Sequence, residues 1–117
     1  MKQPLMLVAA GAFAAFALAA PADAQRRARC VVTSSGEVYR GPCSFAAERG
    51  GSFSISPVGR PFLIGEISDV SVTIVSRGVA EVRGLTAQGV NSRWGEARRS
   101  TRDRACWVGS DFSVCAY

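Results

Sequence analysis

The stretch "DVSVTIVSRGVAEVRG", residues 69–84, decides the fold class. Apolar and polar residues alternate along it: Val70, Val72 and Ile74 share one face, and Ser71 and Thr73 the other. A period of two marks a half-buried strand, because a helix repeats only about every 3.6 residues. Register then tests the hairpin. A two-residue turn at Arg77-Gly78 sets Ile74 against Glu81 and Val72 against Arg83, which mixes the faces. A three-residue loop, Ser76-Arg77-Gly78, sets Ile74 against Ala80 and Val72 against Val82, with Thr73 and Ser71 facing Glu81 and Arg83. Only the second register keeps apolar with apolar, and it gives Gly78 the left-handed position such loops require.

The same signals extend outward. "GSFSIS" (51–56) reads as a strand with Phe53 and Ile55 inward and three serines outward, and "PVGRP" turns the chain into the apolar run "FLIGEI" (62–67), which should be buried. "TAQG" (86–89) is another turn. Glycine and proline punctuate the chain every eight to twelve residues or so, and no segment carries a helical apolar stripe of ten or more residues. Gly95 to Ala105 offers at most a short polar helix with no apolar face beyond its alanines. The expectation is a small all-β domain, an antiparallel meander forming a barrel or a sandwich.

Both ends of the meander carry cysteines. In "ACWVGSDFSVCAY" (105–117), a two-residue turn at Ser110-Asp111 places Gly109 opposite Phe112, Trp107 opposite Val114 and Cys106 opposite Cys115. The cysteines then occupy a non-hydrogen-bonded site, where α-carbons lie about 4.5 Å apart and a disulfide just closes. "CVVTSSGEVYRGPC" (30–43) reads as two short strands around Ser34-Ser35-Gly36, with Cys43 arriving past the hairpin at a Gly41-Pro42 bend. The pairings expected are Cys30 with Cys43 and Cys106 with Cys115, ahead of the two crossed alternatives. Zinc is disfavoured, because the spacings lack the close pairs of a zinc ribbon and the chain has no histidine.

Disulfides suit an exported protein, and the start of the chain agrees. Lys2 precedes the apolar run Leu5 to Ala20, Pro21 breaks it, and Ala22-Asp23-Ala24 offers small residues for cleavage before Gln25. Residues 1–24 are therefore expected to be a signal peptide and residues 25–117 a single disulfide-stapled β domain, periplasmic or secreted; an uncleaved anchor is the rival. Cleavage removes the single lysine and Asp23 from the 14 basic and nine acidic residues, so the charge stays +5 and every remaining cation is arginine. Arginine's planar fork suits carboxylates and phosphates, although a GC-rich genome also writes arginine for lysine.

Catalysis finds little footing. Histidine, the commonest general base, is missing; paired cysteines are no nucleophiles; no serine sits in a nucleophile elbow; and no cofactor motif is present. The expectation is a protein that is not an enzyme and needs no cofactor or metal. The densest chemistry lies in "NSRWGEARRSTRDRACW" (91–107), where five arginines stand between two tryptophans. Arg93, Trp94, Arg98 and Arg99 are the candidate contact residues, with an anionic envelope polymer or an acidic protein as partner; no nucleic acid is expected outside the cell. The plainer reading makes Trp107 core, lets Trp94 close a barrel end, and leaves the arginines as a solvated face.

The segments "YRGPCSF", "GGSFSIS", "GVNSRWGEARRS" and "DRACWVGSDFSVCAY" together resemble a group of small exported four-cysteine proteins of Gram-negative bacteria. The resemblance spans most of residues 25–117, is most specific at Cys106-Trp107 to Cys115, and implies a shared fold but no activity. A weaker likeness, in size and class only, is to periplasmic lysozyme inhibitors, and it implies inhibition of a wall-degrading enzyme as the alternative function. Net positive charge opposes that alternative, because many lysozymes are themselves basic.

Overall fold

The computed structural model describes residues 25–117, so the expected signal peptide lies outside the described residues. Eight antiparallel strands run in chain order: β1 Gln25–Ser34, β2 Glu37–Ala47, β3 Phe53–Pro57, β4 Ile67–Ser76, β5 Val79–Thr86, β6 Asn91–Arg99, β7 Cys106–Val108 and β8 Phe112–Ala116. Each pairs with the next and β8 pairs back onto β1, which closes a barrel. Closure decides the alternative left open by the sequence in favour of the barrel, and it removes the free edges that a meander exposes.

The deciding hairpin has the expected core register: Val72 faces Val82, Thr73 faces Glu81 and Ile74 faces Ala80. Its turn differs in detail. Ser76 pairs with Val79 across Arg77-Gly78, and the extra residue, Val75, is absorbed by a register shift between Ile74 and Ser76. Gly78 takes φ 71° as the left-handed position demands. The bulge does what the longer loop was expected to do, keeping the apolar face inside.

Period two fills the interior. Val32, Ile55, Val70, Val72, Ala80, Val82, Ala97 and Val114 are all buried and meet in one core. Leu63 and Ile64, from the apolar run before β4, join that core from the β3–β4 connection. Ser52 is a correction to the reading of three outward serines: it is buried just before β3, and its hydroxyl accepts the N–H of Ile74 at 2.9 Å, satisfying a strand-end donor. Gly95 to Ala105 forms no helix; its first half belongs to β6 and pairs with β5.

Both disulfides have the expected partners. Cys106 lies directly opposite Cys115 with α-carbons 4.0 Å apart, and the N–H of Gly109 donates to the carbonyl of Phe112 at 2.8 Å beside the Ser110-Asp111 turn. The first staple departs from expectation in how its strands run. The turn is the tight pair Ser35-Gly36, with φ 51° and 87°, and β2 continues straight through Gly41 and Pro42 instead of bending there. Cys30 faces Gly41 while Cys43 faces Ala28, so the sulfurs bridge diagonally across the inner face, with α-carbons 5.8 Å apart. Gly41 carries no side chain to obstruct that diagonal. Tyr39 packs over it instead, its hydroxyl donating to the Pro42 carbonyl at 2.5 Å.

The two staples face opposite ways. Cys30 and Cys43 belong to the core, whereas Trp107 and Val114 point inward and so turn their neighbours Cys106 and Cys115 outward. Outside, the Cys106 sulfur lies 3.6 Å from the Tyr117 hydroxyl, which donates to Asp103 at 2.5 Å. That bond holds the Asp103 carboxyl below its usual range, helped by the Ala105 N–H, and raises the Tyr117 phenol above its own.

Candidate functional site

All four residues singled out in the sequence lie on β6, yet the strand divides them between two faces. Arg93 is exposed and outward, and its Nε donates to the Glu81 carboxylate on β5. The hydrogen bond from Arg93 is the main reason the Glu81 carboxyl sits below the usual carboxylate range. Arg98 is also outward, with a guanidinium nitrogen 3.9 Å from Glu96, a contact in water that is worth little. Trp94 is the extra residue where the β5–β6 register slips, and it packs against the core. Its ring meets Phe112 edge-on at 5.7 Å and lies so close to Gly84 that a Cβ there would come within 2.7 Å of the indole nitrogen.

Arg99 occupies the next inward position after buried Ala97 and faces Trp107 across the β6–β7 ladder. Its guanidinium carbon stands 5.4 Å from the Trp107 ring centroid, and its Nε donates to the Arg104 carbonyl at 2.7 Å. The structure therefore does not gather the arginines around Trp94 on one exposed face. Arg93 and Arg98 look outward, while Trp94 and Arg99 look inward five residues apart along the strand.

What the inward turn of Arg99 builds was missed in the sequence. One end of the barrel, its mouth, collects the start of β1, the end of β2, the 3-10 turn Arg49–Gly51, the end of β6 and the loop 100–105. A cavity of about 280 Å³ opens there, lined by Arg26, Phe45, Phe53, Arg99 and Trp107 with the small residues Gly51, Ala105 and Ala116. Phe45 and Phe53 stack at 4.9 Å, and the Arg26 guanidinium carbon sits 4.4 Å from the Phe45 centroid. Two cations thus lie over aromatic faces on either side of a hollow, each a cation–π contact. Among the described residues neither Arg26 nor Arg99 makes an ion pair within 4.0 Å. The signal for Arg26 was present: Val32, Cys30 and Ala28 point inward, and the period carries on to residue 26.

Charge is polarised along the barrel axis. Arg26, Arg27, Arg49, Arg77, Arg98, Arg99, Arg102 and Arg104 belong to the strand ends and connections at the mouth, all exposed, with Glu48, Asp103 and the Glu96 beside Arg98 as acidic company among the described residues. The far end has Arg60 against Glu37, Glu66 and Asp111. Hairpin connectivity produces this separation, because alternate turns fall at alternate ends. Among the described residues no three histidine, cysteine or acidic side chains group closely enough to hold a metal ion, and no helix is long and apolar enough to cross a membrane. Comparison with protein-family models, curated proteins and solved structures returned no match.

Proposed function

We propose that the chain is a non-catalytic binding module of the cell envelope, exported and periplasmic or secreted, whose basic end meets an anionic partner. The observation that carries this reading is the segregation of arginines to the mouth, away from most of the carboxylates. Clustered like charge destabilises the isolated fold by self-repulsion and is relieved when counter-charge arrives, so the mouth is a surface suited to polyanions such as acidic envelope polymers. Of the four β6 candidates, Arg98 and Arg99 belong to this end, while Arg93 is already engaged by Glu81. Two double variants that remove the same net charge test the reading on immobilised heparin. Arg98→Gln with Arg102→Gln, at the mouth, should elute at clearly lower salt than the parent; Arg40→Gln with Arg60→Gln, away from it, should elute close to the parent. Equal shifts would mean that net charge alone is responsible, and failure to bind at low salt would remove the polyanion reading.

A further inference from the structure

The mouth cavity carries an inference more specific than attraction to polyanions. Along β1 the inward positions run Arg26, Ala28, Cys30, Val32, and along β6 the inward Ala97 is followed by Arg99. At both places the period calls for an apolar residue, which would simply extend the core. Arginine stands there instead, and the aromatic layer beneath, Phe45, Phe53 and Trp107, is left with open space above it. Covering aromatic faces with arginine stems accounts for the cation–π contacts but not for a 280 Å³ hollow between them.

We propose that this cavity binds a small organic anion: a ring-sized apolar body held between Phe45, Phe53 and Trp107, with one carboxylate or phosphate head received by Arg26 and Arg99. The size fits, since an apolar cavity of roughly 150 Å³ already accommodates benzene, and the volume here leaves room for a head group beside the ring. The charge fits because, among the described residues, neither guanidinium has a carboxylate partner within 4.0 Å, so a ligand head can accept from both. The lining combines two cations with three aromatic side chains, the groups that a charged head on an apolar body requires. The inference rests on the reading of the mouth as an anion-binding end and adds a ligand class and a location.

Trp107 provides the readout. With Trp94→Phe it is the single remaining tryptophan and it lines the cavity. Its emission should change saturably on titration with 3-phenylpropanoate or phenyl phosphate, the tighter of the two identifying the preferred head. Benzyl alcohol, with a ring and no charge, and propanoate and inorganic phosphate, with charge and no ring, should not saturate over the same range. Arg26→Gln and Arg99→Gln should each weaken the ring-bearing anion by about tenfold or more. Ala105→Phe fills the cavity while keeping both arginines, and should abolish small-anion binding without changing elution from heparin. Absence of saturation by either ring-bearing anion, saturation by the controls to the same degree, or survival of binding in Ala105→Phe overturns the inference. Loss of heparin retention alone, with ring-anion binding intact, counts against the polymer partner and not against the cavity.

Discussion

Removing each disulfide separately should destabilise the barrel unequally, in an order set by the face each staple occupies. In the chain-entropy account, a crosslink spanning 13 residues, as between Cys30 and Cys43, contributes about 3 kcal/mol, and one spanning nine, as between Cys106 and Cys115, contributes slightly less, about 2.5 kcal/mol. Loop closure alone therefore barely separates them. Burial does. Cys30 and Cys43 are 0% exposed and part of the core, so replacing both with alanine also hollows the interior, at roughly 1 kcal/mol for each methylene-sized sulfur lost. Cys106 and Cys115, although only 8% and 7% exposed, lie on the outer face beyond the core cluster, and their replacement leaves the interior filled. The expected losses are about 5 kcal/mol for Cys30→Ala with Cys43→Ala and about 2.5 kcal/mol for Cys106→Ala with Cys115→Ala. For a domain of this length these correspond to falls in melting temperature of about 25 °C and about 15 °C. Thermal unfolding followed by near-ultraviolet circular dichroism, without reductant, measures both. Mass mapping during timed reduction of the parent should show the outward Cys106–Cys115 bond opening first. A larger loss from the outer pair, or melting points within a few degrees of the parent for both variants, would refute the division into an interior and an exterior staple.

Two further outcomes follow from local geometry. Gly109→Ala should destabilise the protein by about 1 to 3 kcal/mol, because a Cβ there would fall 2.1 Å from the buried Phe112 ring, which in turn supports Trp94; denaturant midpoints check this, and a neutral result would mean that the ring has room to move. The Tyr117–Asp103 bond makes two pH predictions of opposite sign. Asp103 has a lowered folded pKa, so its contribution to stability is present above the ordinary carboxylate range and is lost as pH falls through its folded value. Tyr117 has a raised folded pKa, so its contribution is complete below the ordinary phenol range and is lost as pH climbs through its folded value. Phenolate absorbance should therefore show one tyrosine titrating late, with that phase absent in Tyr117→Phe and returned toward the ordinary range in Asp103→Asn.

The parts of the fold that could be read from sequence are those governed by neighbours within one hairpin. The Val72–Val82 register and the Cys106–Cys115 pairing both follow from counting outward from a single turn, and both are present. Elsewhere local signals were overridden from a distance. Gly41-Pro42 looks like a bend, but Pro42 stays in β2 opposite Arg29, because the β1 ladder runs unbroken past it, with β3 pairing on the other side from Cys43 onward. Ser52 looked outward by alternation, yet an N–H on β4 needed its hydroxyl. The candidate site suffered most, since Arg99 and Arg26 stand far apart in sequence and share a cavity only after β8 has closed onto β1.

By itself the sequence determined the all-β class and the inward register of the central hairpin, and it ranked the observed partners of the four cysteines ahead of the crossed alternatives. Each of these depends on side-chain period and turn geometry over a few residues, which need no contact with a distant segment. The tertiary structure alone decided that the meander closes, that one disulfide lies inside and the other outside, that Trp94 turns inward away from its arginines, and that cations from both ends of the chain ring one mouth. Those outcomes depend on which strand ends meet around the barrel, and strand order in space is settled by closure.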